Sequence, residues 1–234
     1  MASGLLLGSI AVLLLGVANG KDSRQEHSLL PNVKVGDRFA FEFKSTSEVG
    51  GSAAAYSARF ELSVASLEPK GTITFHTEQK NAEFSMAGQV QKIPDSKTTS
   101  KFKVTGEVLT LDPPAATPEQ ARFSRLMQIV VPEGTASVGK TWTWSSEPTE
   151  LNGKIGLEGK GQCVAFEQRD GVPCAKLRLT ARETTGEKPA SSTIEVWIAL
   201  KDGLPVETIL RFEDAPFAPG ITGSMHGVNK RVEK

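Results

Sequence analysis

The stretch VGDRFAFEFKS, residues 35–45, decides the fold class of this chain. Three aromatic residues in it, Phe39, Phe41 and Phe43, alternate with small or charged residues. A period of two places all three rings on one face of a β-strand. Runs with the same period recur along the chain, separated by short turn signals such as Asp170-Gly171. Because the gaps are short, we expect antiparallel pairing and predict a mainly β fold, a curved sheet or half-barrel.

A second stretch, VGKTWTWSSEP at residues 138–148, has the same order of Val, Gly, a charged residue and alternating aromatics 103 residues further on. Its aromatic positions hold Trp142 and Trp144. The sequence therefore predicts two related meanders, residues 31–112 and 133–230, with chance similarity of short strand segments as the alternative. A further related pair, VASLEPKG and VAFEQRDG, occupies residues 64–71 and 164–171.

One segment, TPEQARFSRLMQIVVP, has a helical pattern instead. Thr117 is a suitable N-cap, with Pro118 at the first helical position and Gln120 completing a capping box. This arrangement predicts a helix at residues 118–130 that joins the two meanders, so that residues 31–234 form a single β domain. The apolar stripe expected to pack on the sheet comprises Phe123, Leu126, Met127 and Val130.

The first twenty residues resemble a secretory signal. An apolar run at residues 5–18 ends in Ala-Asn-Gly, and its length of about 14 residues is short of the ~20 that a membrane-spanning helix needs. Cleavage after Gly20 would export the chain to the periplasm or the extracellular space without a transmembrane anchor. No basic residue precedes the run, so an uncleaved anchor is the alternative. The polar residues 21–30 are predicted to form a flexible leader.

The charges of the chain are balanced, with 27 basic and 27 acidic residues. A protein that binds nucleic acid or an anionic membrane normally has a clustered basic excess. Neither partner is expected. No cofactor-binding motif is present either, so we expect no cofactor.

The two cysteines, Cys163 and Cys174, flank the Asp170-Gly171 hairpin signal. A two-residue loop there would place Val164 opposite Leu177 and put both cysteines on one face, about four residues out of step, or roughly 13 Å apart. A disulfide needs Cα atoms within about 7 Å, so a bond requires a bulge or a wider loop. The sequence alone leaves the disulfide between Cys163 and Cys174 open.

Residues suited to catalysis are sparse. The three histidines, His27, His76 and His226, have no metal-ligand spacing, and the nucleophile and dinucleotide patterns are absent. His76 could meet Glu78 and Glu83 in space, but a solvated strand face explains these residues more simply. We therefore predict no catalytic and no metal-binding residues.

The aromatic strands are the second candidate feature. They can wall a cavity for an apolar ligand, or they can form the core beneath the helix. The core interpretation is favoured over the cavity, because a sheet with one buried face needs such an aromatic stripe in any case. The candidate ligand-binding residues are Phe39, Phe41, Phe43, Trp142, Trp144 and Trp197.

The order of these segments resembles a group of uncharacterised secreted bacterial proteins known as a domain of unknown function. The likeness covers most of the mature chain, from VGDRFAFEF through VVPEGTASVGKTWTW and DGVPCAKLRL to VWIALKDGLPVETILRF. It implies no catalytic residues, because none are assigned to that group. The late WIALKDGLPV hairpin also resembles that of periplasmic lipoprotein carriers, whose open half-barrel wraps a helix and holds acyl chains. Their binding-residue motif has no match here.

Taken together, the sequence predicts an exported, non-enzymatic β protein that binds a lipid or another apolar ligand in the cell envelope. A protein-interaction or structural module with a fully packed core is the alternative, and a hydrolase comes third. The expected partners are accordingly an apolar ligand or an envelope protein.

Overall fold

The computed structural model describes residues 25–112, 117–149, 154–186 and 188–233. These residues form a mainly β, antiparallel fold with one helix, which confirms the predicted fold class. The strands are β1 His27–Ser28, β2 Arg38–Val49, β3 Ser52–Glu68, β4 Thr72–Met86, β5 Gln89–Ile93, β6 Ser96–Lys103, β7 Val108–Asp112, β8 Thr135–Ala136, β9 Thr141–Ser146, β10 Leu157–Arg169, β11 Val172–Glu183, β12 Ser191–Ala199, β13 Pro205–Ala218 and β14 Ile221–Val232, and the helix is α1 Pro118–Leu126.

Twelve of the described strands belong to one open sheet. Its order is β7-β6-β4-β3-β2-β14-β13-β12-β11-β10-β9, and β5 pairs with the C-terminal part of β4, residues 82–86. Strands β1 and β8 form a separate two-stranded ladder. The first half of the chain is thus one meander and the second half another. They join where β14 pairs with β2, from Gly223 opposite Val49 to Val232 opposite Ala40.

The two V-G segments form the same turn. Gly36 and Gly139 both have positive φ, +91° and +89°, a conformation that glycine adopts readily. The Gly36 amide donates to the Val64 carbonyl at 2.9 Å, and the Gly139 amide donates to the Cys163 carbonyl at 2.8 Å. These hydrogen bonds make Val64 the equivalent of Cys163, so the sequence match of Val64 with Val164 is off by one residue.

The helix begins where the sequence predicts. The Gln120 amide donates to the Thr117 hydroxyl at 3.3 Å, and Pro118 occupies the first turn. It ends at Leu126, with Met127 as the C-cap, and not at residue 130 as expected. The reason is a competing partner: residues beyond the cap leave the helix to bond with the β6–β7 loop and β9, where the Val131 amide donates to Thr105 and the Val130 carbonyl accepts from Trp142.

The apolar stripe of α1 packs on the sheet as predicted. Leu126 is buried in the main core, and the ring of Phe123 stacks on Phe212 of β13 with 5.1 Å between centroids. Polar contacts fix the same helix: Arg122 forms two 2.7 Å hydrogen bonds to Glu183. We call the side of the sheet that carries α1 the concave face and the opposite side the outer face.

The predicted flexible leader is wrong for residues 27–30. His27–Ser28 forms β1, which pairs with β8, and Leu29 is fully buried in the main core. Burial of the Leu29 side chain, worth about 1.5 to 3 kcal/mol, and the pairing of β1 with β8 act together against the entropy cost of ordering these residues. The proposed signal and residues 21–24 lie outside the described residues.

Candidate functional site

The three phenylalanines of β2 share the concave face, as their period predicts. Phe43 belongs to the main core, with its ring centroid 5.9 Å from that of Tyr56 and 6.4 Å from that of Phe60. Phe41 is buried as well, and Phe39 packs at the edge of a smaller cluster around residues 33, 64 and 73. These rings are packed against other side chains of the same face.

Both tryptophans of β9 lie on glycines of the neighbouring strand. In the β9–β10 ladder Trp142 is opposite Gly161 and Trp144 is opposite Gly159. A Cβ atom on either glycine would lie 2.2 Å or 2.1 Å from the nearest ring atom, so only glycine leaves room for the rings. This role of the two glycines was not predicted from the sequence. Its signal was two glycines spaced i, i+2 inside a strand pattern, a sign of close approach.

The two indole rings differ in their hydrogen bonds. The Trp142 Nε1–H donates to the Val130 carbonyl at 2.9 Å and so ties β9 to the segment that follows α1. The Trp144 Nε1 atom is buried, and no described residue accepts its proton. A buried donor without a partner costs about 1 to 3 kcal/mol. Trp144 is therefore the weaker of the two anchors.

Trp197 lies on the outer face, away from the other aromatic candidates. Its neighbours in β12, Val196 and Ile198, belong to the main core, whereas Trp197 packs with Cys174 in a separate cluster. The expectation that Trp197 shares a cavity with the β2 and β9 rings is therefore corrected. The ring has polar surroundings: the Arg169 guanidinium is 4.3 Å and the Lys176 ammonium 4.8 Å from its centroid, and Nε1–H donates to Glu167 at 2.6 Å.

The two cysteines are free and buried on opposite faces of the sheet. A bulge at Val164 places Cys163 opposite Leu177, where the simple hairpin placed Val164. The extra residue turns the Cys163 side chain into the main core while Cys174 remains on the outer face. Burial raises the pKa of both thiols, which keeps them protonated and unreactive.

The candidate cluster around His76 has ordinary surface contacts. The His76 Nδ1 atom lies 2.9 Å from the Thr99 hydroxyl. Glu78 forms ion pairs with Lys97 at 2.8 Å and Lys80 at 3.3 Å, and hydrogen bonds from these lysines lower the pKa of its carboxyl. Across the described ranges, no three His, Cys, Asp or Glu side chains are placed to hold a metal ion together.

Two shallow depressions of about 480 and 430 Å³ are formed mainly by outer-face side chains. The first lies over β14, β2, β3 and β4 and includes Glu83 and His226, and the second includes His76 and Glu78. His76 and Glu83 thus face different depressions. Of the six aromatic candidates only Phe39 contributes to either one. No helix within the described residues is long and apolar enough to cross a membrane.

Comparison with known proteins gives fold neighbours only. No family model and no curated protein matches the chain. A "putative exported protein with YmcC-like fold" from Bacteroides fragilis is 10% identical over 88% of this chain and 98% of its own, with a TM-score of 0.35. The hypothetical lipoprotein YmcC from Escherichia coli is 12% identical over 83% and 88%, also at 0.35. A DUF1329 family protein from Desulfovibrio piger is 8% identical over 86% and 85%, at 0.23.

These neighbours are of the kind that the sequence resembles, namely uncharacterised bacterial proteins described as exported, as a lipoprotein or as a domain of unknown function. TM-scores of 0.35 and below support no statement about the function of this chain.

Proposed function

We propose that this chain is an exported, non-enzymatic β protein that serves in the cell envelope as a protein-interaction or structural module. The observation that carries the proposal is the position of α1. The helix and the segment after it occupy the concave face, the place where a carrier would hold its ligand. Function is thereby assigned to the outer surface and the ends of the sheet.

The contacts of α1 support a permanent position. The two hydrogen bonds from Arg122 to Glu183 are joined by a bond from the Ser192 hydroxyl to the Leu126 carbonyl at 2.8 Å. Leu126 and Glu183 are almost completely buried. Moving the helix aside would expose an apolar core and leave a buried carboxylate without its cation, which is costly.

Carriage of an apolar ligand beneath the helix is the second candidate. It is favoured by buried polar atoms on the concave face that have no partner among the described residues: Trp144 Nε1, Thr208 Oγ1 and Asn229 Oδ1. Thr208 and Asn229 are direct neighbours in the β13–β14 ladder. The polar head of a small lipid or an ordered water molecule would satisfy such atoms.

Export and duplication belong to the same proposal. The apolar residues 5–18 and the small residues before Lys21 support cleavage of a signal after Gly20. The matching glycine turns at Gly36 and Gly139 support an origin of the two meanders from one unit. N-terminal sequencing of the exported protein tests the first point, since a start far from Lys21 would contradict it.

Native mass spectrometry of protein purified from its own envelope distinguishes the two functions. We expect the mass of the chain from Lys21 onward, without an adduct. A stoichiometric lipid mass that disappears after unfolding and refolding would reject the packed module and favour carriage. The refolded protein is the matched control, because it has the same chain and no access to envelope lipid.

A further inference from the structure

One edge of the twelve-stranded sheet is a short strand that lacks the usual protection of an edge. Strand β9 is the last strand in the sheet order and, among the described strands, pairs only with β10. Its sequence, Thr-Trp-Thr-Trp-Ser-Ser at residues 141–146, contains no charged residue and no proline. All six residues pair with β10 in one unbroken register. An edge of this kind is a template for pairing with another strand.

Two other strands at the edge of the sheet carry such protection. In β7 the Val108 amide donates to the Gln128 side chain at 3.3 Å, and a register shift interrupts the ladder with β6. Strand β5 contains Lys92, and Pro94 follows directly after its end. Charged side chains, proline and bulges keep edge strands from pairing, and β9 has none of them.

The register shows which backbone groups of β9 face the free side. The Cys163 amide donates to the Lys140 carbonyl at 3.0 Å, so these two residues form a hydrogen-bonded pair. Hydrogen-bonded and non-hydrogen-bonded pairs alternate along an antiparallel ladder, so Trp142 and Trp144 also direct their backbone groups to β10. The residues between them point their amides and carbonyls away from β10. They are Thr141, Thr143 and Ser145, all three exposed, and no other described segment bonds to their backbone.

The sequence around Thr143 is nearly palindromic. Trp142 and Trp144 flank it directly, and the hydroxyl residues Thr141 and Ser145 come next on either side. In a twofold contact the same surface patch meets itself, so it has to be self-complementary. A twofold axis at Thr143 places hydroxyl opposite hydroxyl and tryptophan opposite tryptophan, and the residue that meets its own copy is uncharged. A partner of a different sequence would need no such symmetry.

We propose that β9 pairs antiparallel with β9 of a second copy of this chain, with the twofold axis at Thr143. The three residues that face the free side form three hydrogen-bonded pairs, and at two bonds a pair all six of their backbone groups are satisfied. The tryptophans become cross-strand neighbours, an arrangement that stabilises sheets. The inference deepens the proposed interaction module by naming its partner, and it rests on that proposal only in this respect.

The first experiment measures the oligomeric state of the purified protein by sedimentation velocity. A contact through one six-residue strand buries less than the ~1,200 Å² of a standard stable interface, so the dimer is expected to be weak. We expect a dissociation constant on the order of 10 µM, with monomer at about 1 µM and mostly dimer at about 300 µM. A natural chain that is monomeric over the whole range would overturn the proposal.

The second experiment tests the position of the axis with charges. Thr143→Lys and Thr143→Glu each place like charges opposite one another, so each variant alone should be monomeric at concentrations where the natural chain is dimeric. An equimolar mixture of the two should dimerise again, because opposite charges then meet. The matched control is Thr110→Lys at an exposed position of the edge strand β7, and it should dimerise normally. Natural dimerisation of either Thr143 variant alone, or a mixture that stays monomeric, would contradict the twofold contact at Thr143.

Amide hydrogen exchange tests the same contact on the natural chain, without any substitution. Exchange in residues 141–146 should slow about tenfold between the low and the high protein concentration, because pairing protects the free amides. Residues 108–112 of β7 are the internal control and should exchange equally at both concentrations. Concentration-dependent protection in β7, with none in β9, would assign the contact to the other edge and reject the proposal.

The outcomes separate this inference from the proposed function. A lipid adduct in the native mass spectrum would reject the packed module and leave the β9 dimer unaffected. A monomer without an adduct at about 300 µM would reject the dimer and leave the packed module in place.

Discussion

Substitution of Gly159 by alanine tests the contact between β9 and β10 most directly. The added Cβ atom would lie 2.1 to 2.6 Å from three ring atoms of Trp144, so the indole has to leave its position. The ring is wide and rigid, and moving it exposes part of the main core against which it packs. We expect Gly159→Ala to lower the free energy of unfolding by about 3 kcal/mol, the upper range for overpacking.

The expected loss in the free energy of unfolding for Trp144→Ala follows from the same contacts. Loss of a packed tryptophan costs about 3 kcal/mol at the lower end of the usual range, which suits a half-buried ring. Removal of the unpaired buried indole N–H returns about 1 kcal/mol. The net loss is then about 2 kcal/mol. In the double variant the clash no longer exists, so its loss should be about 2 kcal/mol, short of the sum of the two single losses by about 3 kcal/mol.

Urea unfolding followed by circular dichroism at 25 °C measures all four members of this cycle. Gly134→Ala is the matched control, because a Cβ atom there meets nothing within 4 Å, and its effect should stay within 0.5 kcal/mol. Additive losses in the double variant, or a Gly159→Ala protein as stable as the natural chain, would refute the ring-on-glycine contact.

Three further predictions concern the helix and the thiols. Leu126→Asp places a charge in the core and should destabilise the fold by roughly 4 kcal/mol, and an unchanged thermal melt would refute the buried position of the helix. Arg122→Met leaves the Glu183 carboxylate buried without its cation and should lower the free energy of unfolding by about 3 kcal/mol. The double variant Arg122→Met with Glu183→Met should recover most of this loss. Equal instability of the single and the double variant in urea would contradict the pairing. Because burial raises the pKa of Cys163 and Cys174, Ellman's reagent at pH 8 should find no reactive thiol in the folded protein and two in guanidinium, and none in guanidinium would reveal a disulfide.

Local sequence patterns predict the strands and the helix start well, because period and capping depend on near neighbours. The limits appear where a strand is buried on both sides. Residues 196–199 of β12 are all buried, so alternation cannot assign Trp197 to a face. Only its partners in space, Arg169 and Glu167, show that the ring lies on the outer side.

The strand register that positions Cys163 and Cys174 shows a second limit of prediction from sequence. A single extra residue at Val164 reverses the face of everything before it in β10, and the hairpin signal at Asp170-Gly171 carries no information about it. The equivalent shift in β3 follows Val64. The role of the two glycines opposite the tryptophans becomes evident only from the β9–β10 ladder, in which each glycine is paired with one tryptophan.

The pairing of β14 with β2 has a consequence for how the chain folds. The last strand, β14, must find the early strand β2 after nearly the whole described chain has been made. Such distant pairing is slow, because the long intervening loop loses its entropy before the contact forms. Until then β2 keeps one side of its twelve-residue ladder open, and an open ladder favours pairing between chains.

Truncation before Ile221 should therefore do more than remove one hairpin arm. It would leave β2 and β13 as two long free edges in place of a continuous sheet, each rich in alternating apolar residues. The twelve-residue strand β14 joins two halves of the sheet, each of which is incomplete without it. A chain truncated before β14 is therefore expected to aggregate.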